Sequence, residues 1–284
     1  DQTLRLANDG LTPDEIAQTI ELPKALAQDF SVRSYYGTLK HNARAIYQHY
    51  FGWFDAVPAN IDPLPPEDAA ARYVEAMGGL DAVLARAEAA FEAGEHRWGA
   101  ELAQTAVFAA PGSEPARELL ARHYEQLGYR AESAPWRDIY LTGALEAREG
   151  PQSTDITARS AGLLSVIPLE QFFAAMASRI DGLAAAERDR TFGFYFREPD
   201  GSVEVWTVST SNGVMRYAEG PPDGEADATV TVTRAFWLRM MARDAGLAEM
   251  LTSRDFSVDG DRAALLRFFG LMQPGDAGFP VIEP

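Results

Sequence analysis

Cysteine is absent from the 284 residues, and with it go disulfides, thiolate catalysis and thiolate metal ligands. The compartment stays open, because an oxidising one tolerates a cysteine-free chain as readily as the cytosol does. Basic residues are scarce beside acids, 25 Lys and Arg against 42 Asp and Glu, for a formal net charge of −17. Such a chain repels polyanions at long range, and no Lys/Arg run marks a phosphate-tracking face, which argues against nucleic acid as a partner. Long apolar runs are missing too. The stretch Ala100 to Ala110 is broken by Glu101 and Gln104, far short of the roughly 20 residues that cross a bilayer, so no transmembrane segment is expected. Only four histidines occur, His41, His49, His96 and His123, and no two have the one- or three-residue gap that aims a pair of imidazoles at one zinc ion. No metal ligands are therefore assigned to this chain. Nucleophile-elbow, P-loop and dinucleotide fingerprints are absent as well. The first residues, Asp1-Gln2-Thr3-Leu4, include no Met and no leader, so the chain is expected to start inside a larger polypeptide.

What is present reads as globular: 46% hydrophobic and 24% charged residues, in a chain long enough for two domains. Three segments are expected: 1–65, 66–150 and 154–284. In the first, Thr12-Pro13-Asp14-Glu15 is a helix start, with Ile16 and Ile20 on one face. A second helix opens near His41 and Asn42, runs through Ile46, Tyr47 and Tyr50, and ends at Gly52; Ala59 to Pro66 is a Pro-rich linker. In the second segment Gly94 and Gly128 stand 34 residues apart, the period of a tetratricopeptide-like helical hairpin, and Pro111 ends the helix between them. Two such hairpins are too few to bury a continuous core. Apolar positions such as Trp98, Leu102, Val107 and Phe108 are expected to need a partner, and a plain helical bundle remains the alternative. Gly150 to Thr154 is a polar linker.

The third segment changes period. An amphipathic helix spans Pro168 to Ile180. Strand-like alternation follows in Phe192 to Phe196 and Val203 to Trp206, joined through Asp200-Gly201. Ser211-Asn212-Gly213 turns into Val214 to Tyr217, and Ala228 to Val232 alternates again before helices at Arg234–Ala242 and Ala263–Met272. The fold class is mixed: an all-α region of helical hairpins, then an α+β domain with a mainly antiparallel sheet.

Two groups could carry chemistry. His41, with Tyr36, Asn42 and Arg44, sits where a helix start directs N–H groups outward, a place suited to an oxyanion such as sulfate. The plainer alternative is a His-Asn helix cap with Arg44 in solvent. Tyr47, Tyr50, Trp53 and Phe54 are either core or the wall of a substrate site. The second group is aromatic: Phe172, Phe173, Phe194, Phe196, Trp206, Phe236, Trp237, Phe268 and Phe269 either fill a small core or enclose a cavity for an aliphatic tail.

Longer motifs add a resemblance. They are Leu4-Arg5-Leu6-Ala7-Asn8, Tyr35-Tyr36-Gly37-Thr38, His41-Asn42, Ala45-Ile46-Tyr47-Gln48, Phe51-Gly52-Trp53-Phe54-Asp55, Pro63-Leu64-Pro65-Pro66, Met77-Gly78-Gly79, Gln126-Leu127-Gly128-Tyr129 and Tyr140-Leu141-Thr142-Gly143-Ala144. In these the chain resembles the alkylsulfatases of the metallo-β-lactamase superfamily, which hydrolyse dodecyl sulfate and related esters. The resemblance implies a helical homodimerisation domain and a C-terminal domain similar to sterol carrier protein 2. It also implies a separate catalytic domain of the same polypeptide that holds two zinc ions through an H-x-H-x-D-H motif, absent here. It makes His41 the residue that approaches the sulfate and protonates the leaving alcohol, with Tyr36, Asn42, Arg44, Trp53 and Phe54 as substrate-binding positions. It suggests a periplasmic or secreted parent, and it implies that the 284 residues alone are inactive. The rival reading is a non-catalytic, dimeric lipid- or alkyl-chain-binding protein.

Overall fold

The computed structural model describes residues 1–152, 165–242, 244–275 and 278–284. The chain forms two compact units, residues 1–152 with 278–284, and residues 153–277. Ser153 and Thr154 of the expected linker lie outside the described residues.

The first unit is helical. It begins with α1 (Gln2–Asn8), α2 (Pro13–Thr19), α3 (Lys24–Ala27) and α4 (Leu39–Phe51). Thr12 caps α2 reciprocally: its hydroxyl accepts from the Glu15 N–H, and the Glu15 carboxylate accepts from the Thr12 N–H at 2.9 Å. α4 starts two residues before the expected place, because Thr38 caps it. It ends at Gly52, whose φ of +84° is open to glycine at little steric strain. Leu6, Ile16, Ala43 and Tyr47 bury the face shared by α1, α2 and α4.

Five further helices follow: α5 (Pro66–Ala76), α6 (Leu80–Glu92), α7 (His96–Ala109), α8 (Glu114–Arg130) and α9 (Ala134–Glu149). Pro111 follows the end of α7, as expected. The glycines of the 34-residue spacing differ in role. Gly94 turns the chain between α6 and α7 at φ +75°, whereas Gly128 lies within α8, where an added Cβ would stand 2.8 Å from Leu141 of α9. Gly99 of α7 does the same work against His123 of α8. Small residues thus let successive helices approach. The expectation that Leu102 and Val107 lack partners is corrected: both are buried with Val83, Ala106, Leu120 and Ala144 inside the unit. Trp98 is half exposed, at 51%.

In the second unit, α10 (Leu169–Ala177) and α11 (Gly182–Ala185) precede β1 (Arg190–Arg197), β2 (Val203–Ser211), β3 (Val214–Glu219) and β4 (Ala228–Thr233). Then come α12 (Arg234–Met241), α13 (Leu247–Thr252), β5 (Phe256–Gly260) and α14 (Arg262–Gly270). The sheet order is β3-β2-β1-β4-β5, antiparallel except for the β1–β4 pair. The β2–β3 hairpin turns on Asn212 (φ 52°) and Gly213 (φ +78°), two left-handed positions that suit the right-handed strand twist. An added Cβ at Gly213 would meet the Gly182 carbonyl at 2.4 Å. Alternation places Phe192, Phe194 and Phe196 on the covered face, under Phe173 of α10 and Trp237 of α12. The aromatic group named in the sequence is the core of this unit; Phe269 alone of the nine is only partly buried against it.

Candidate functional site

The site forms around α4, which is fixed at both its buried face and its leading loop. Ser133, the N-cap of α9, donates its hydroxyl to the Tyr36 carbonyl at 2.6 Å, and Ala134 N–H donates to the Tyr35 carbonyl at 2.8 Å. Arg33 pairs with Glu132 at 2.5 Å beside them. These bonds hold the Tyr35-Tyr36 loop against the start of α9 and deliver the first turn of α4 to Trp136. The His41 ring stands edge-on to that indole, 4.7 Å between centroids. The His41 N–H donates to Thr38 Oγ1 at 3.1 Å, so this amide serves the cap and is not free for a ligand. The same hydroxyl lies 3.4 Å from His41 Nδ1. The cap is Thr38, and the His-Asn cap entertained from sequence does not form.

His41 and Arg44 line a cleft of about 430 Å³ bounded by residues of α2, α4, α7, α8 and α9. One part of its wall is cationic: Lys40, Arg44, Arg97 and Arg130, with no carboxylate among the lining residues. The other part is apolar, supplied by Leu127, Trp136 and Ile139 with the ring of Tyr140. Arg44 is paired with Asp14 at 2.8 Å. Lys40 and Arg97 instead donate to one neutral acceptor, Gln18 Oε1, at 2.9 and 3.4 Å. Of the positions named from sequence, His41 and Arg44 are brought together, while Tyr36, Asn42, Trp53 and Phe54 do not line this cleft. Tyr36 exposes its ring to solvent, Asn42 and Trp53 are exposed, and Phe54 is half buried beyond the end of α4. Sequence reading missed Gln18, Lys40, Arg97, Arg130 and Trp136. Lys40 adjoins His41 on α4, while Gln18, Arg97, Arg130 and Trp136 come from α2, α7, α8 and α9, and no local spacing links those four to the His41-Asn42 motif.

Deeper in the same unit, His96 and His123 are buried with ring centroids 5.6 Å apart. The His123 Nε2 stands 3.1 Å from the Ala87 carbonyl, so this nitrogen carries the proton of the neutral ring. Burial pushes both imidazoles below the ordinary histidine range; for His96 the Arg130 charge adds to this, and for His123 the Ala87 hydrogen bond opposes it. Among the described residues no group of three or more His, Asp or Glu could hold a metal ion. The second unit carries an apolar cleft of about 320 Å³, lined by Met250, Phe256, Val258, Leu265, Leu266 and Phe269, with Arg262 among them.

A helical unit of this arrangement followed by an α+β unit corresponds to two regions of one enzyme class. Residues 12–150 match the family model described as alkyl sulfatase dimerisation, and residues 157–284 match that described as alkyl sulfatase C-terminal. The chain belongs to the alkylsulfatase family. It is 40% identical over 284 residues to an alkyl/aryl-sulfatase of Saccharomyces cerevisiae, covering all of this chain and 43% of that protein. With a linear primary-alkylsulfatase of a Pseudomonas species it shares 42% identity over 286 residues, covering 42% of that protein. The structure of a stereoselective inverting sec-alkylsulfatase from Pseudomonas sp. superposes with a TM-score of 0.89 at 38% identity, over 99% of this chain and 44% of that one. The chain thus spans less than half the length of these relatives.

Proposed function

We propose that this chain is the C-terminal portion of a zinc-dependent alkylsulfatase that hydrolyses alkyl sulfate esters such as dodecyl sulfate to alcohol and sulfate. In this reading the zinc ions are held by another part of the same polypeptide, and the 284 residues supply homodimerisation, a wall for the alkyl chain and His41. The observation that carries it is the cleft at His41, which joins cationic side chains to an apolar wall, the two halves of an alkyl sulfate. His41 gives a proton to the alcohol oxygen as water's oxygen displaces it from sulfur, so that the alcohol leaves neutral, and a proton released by that water restores the ring. A positioned acid of this kind contributes typically 10²- to 10⁴-fold. Trp136 and Thr38 hold the ring for that transfer. Arg44 is less available to the sulfate than its position suggests, since Asp14 already pairs with it.

The test uses native material and the full-length protein. Intact mass and N-terminal sequence should show a polypeptide longer than this chain, and His41→Gln should lower dodecyl sulfate turnover by about a hundredfold or more. The loss should shrink for 4-nitrophenyl sulfate, whose leaving group needs no acid. A native protein of 31.0 kDa with this N-terminus would instead support a non-catalytic dimeric lipid-binding protein, a reading that the apolar cleft of the second unit favours.

A further inference from the structure

We propose that Arg97 and Arg130, with Lys40, hold the anionic head of an organic sulfate whose alkyl chain lies along Leu127, Trp136 and Ile139. This deepens the functional reading above and rests on it for the identity of the anion. In a chain with 42 acids and a net charge of −17, a concave wall with four cations and no lining carboxylate is a local inversion of the surrounding field. The partners of these cations are informative. Lys40 and Arg97 are oriented by the Gln18 amide oxygen, which fixes direction without cancelling charge. The Arg130 side chain makes no ion pair or hydrogen bond among the described residues, and Arg44 alone is neutralised. A guanidinium offers a planar fork of donors that matches the tetrahedral oxygens of a sulfate or phosphate. The apolar side is equally pointed: Ile139 is 70% exposed beside Trp136 and Leu127. A bare inorganic anion would leave that wall wet, and a neutral lipid would leave the cations unmatched. An amphiphilic anion satisfies both, and a cleft of about 430 Å³ lies in the usual range for small-molecule sites.

The experiment is calorimetric titration of the 284-residue chain with octyl sulfate, kept below its micelle concentration at low ionic strength. Saturable binding is expected, about fourfold tighter for each added methylene from hexyl to octyl sulfate. Arg97→Gln and Arg130→Gln should each weaken it about tenfold. Arg86→Gln, an equal charge change at an exposed position of α6, should leave it unchanged. Both target arginines are exposed, and unaltered circular dichroism confirms that the variants fold. Binding insensitive to both substitutions, equal affinity for octyltrimethylammonium, or no saturable uptake would overturn the assignment. Failure here alongside His41-dependent turnover of the full-length enzyme sinks the cleft alone. Arginine-dependent binding in a native protein of 31.0 kDa keeps the cleft and sinks the hydrolase.

Discussion

The ring of His41 meets the indole of Trp136 edge-on, 4.7 Å between centroids and 81° between planes. The two residues are 95 positions apart in sequence, and the contact exists because Ser133 and Ala134 tie the loop before α4 to the start of α9. Edge-to-face aromatic pairs contribute about 0.5 to 1.5 kcal/mol beyond area burial. A double-mutant cycle of His41→Ala and Trp136→Leu should therefore return a coupling of about 1 kcal/mol in urea unfolding. Additive losses would mean that the rings are merely adjacent.

Gly99 illustrates a helix crossing that tolerates no side chain. An added Cβ would lie 1.9 Å from Cε1 of His123, a ring with no exposed surface. Alanine in a helix interior is favoured over glycine by about 1 kcal/mol, but overpacking a filled interior commonly costs 1 to 3 kcal/mol, and this overlap is extreme. Gly99→Ala should lower the melting temperature, and adding His123→Ser should recover most of the loss. A melting temperature raised by Gly99→Ala alone would show that α7 and α8 can shift apart freely.

The buried imidazoles give the helical unit an acid-sensitive stability. Burial holds both folded pKa values below the ordinary 6.5, with Arg130 acting on His96, and with His96 and Arg122 lowering and Glu88 raising His123. Below about that value the unfolded chain binds protons that the folded one refuses. Stability is thus complete above it and declines as pH falls towards the folded values, by up to about 1.4 kcal/mol per pH unit per histidine. Thermal scans between pH 7.5 and 5.5 should show this decline, and His123→Gln should flatten it. An unchanged slope in that variant would place the acid sensitivity elsewhere.

Self-association is the expected outcome for a chain whose residues 12–150 match an alkyl sulfatase dimerisation model, given what α5, α7 and α8 leave uncovered. Tyr73, Trp98 and Tyr129 are each more than half exposed. Obligate interfaces commonly bury about 2,000 Å² or more, and large exposed aromatics are the usual anchors. Sedimentation at micromolar concentration should give twice 31.0 kDa. A monomer at that concentration would assign those side chains to another partner.

Much of this architecture was legible because it is local. Thr12 with Glu15 marked α2, the Phe192-Phe194-Phe196 alternation marked β1, and Asn212-Gly213 marked a hairpin. Short elements with weak periods, such as α1 and β5, were not read. Two of the four residues thought to lack partners are core, because the helical unit closes on itself and takes Ile282 from the chain end into its interior. The cleft was half legible. His41 and Arg44 share one helix face three residues apart, whereas Arg97, Arg130 and Trp136 reach it only through the crossing of α7, α8 and α9.

That chain end supports the last expectation. Residues 278–284 belong to the helical unit, although the whole of residues 153–277 separates them from its helices in sequence. Glu146 of α9 is buried, and its Oε1 accepts from the N–H groups of both Val281 and Ile282, at 2.5 and 3.1 Å. Gln104 Nε2 donates to the Ile282 carbonyl at 2.7 Å, and the Tyr124 hydroxyl donates to Gln104 Oε1 at 2.6 Å. Burial pushes that phenol up to about 12, so it stays a donor at any ordinary pH. Arg117 reaches Glu283 at 3.6 Å. The carboxylate is thus satisfied by backbone donors instead of a cation, and removing it strands two of them. Glu146→Ala should cost about 2 to 3 kcal/mol, and Ile282→Ala, which empties a packed position, about 2 to 4. Glu146→Gln keeps one acceptor oxygen and should cost less than either. Hydrogen exchange resolves the effect by element: protection should fall along α9 and the facing turn of α7, and remain in β1 and β4. Equal protection in all three variants would mean that the tail rests on the helices without stabilising them.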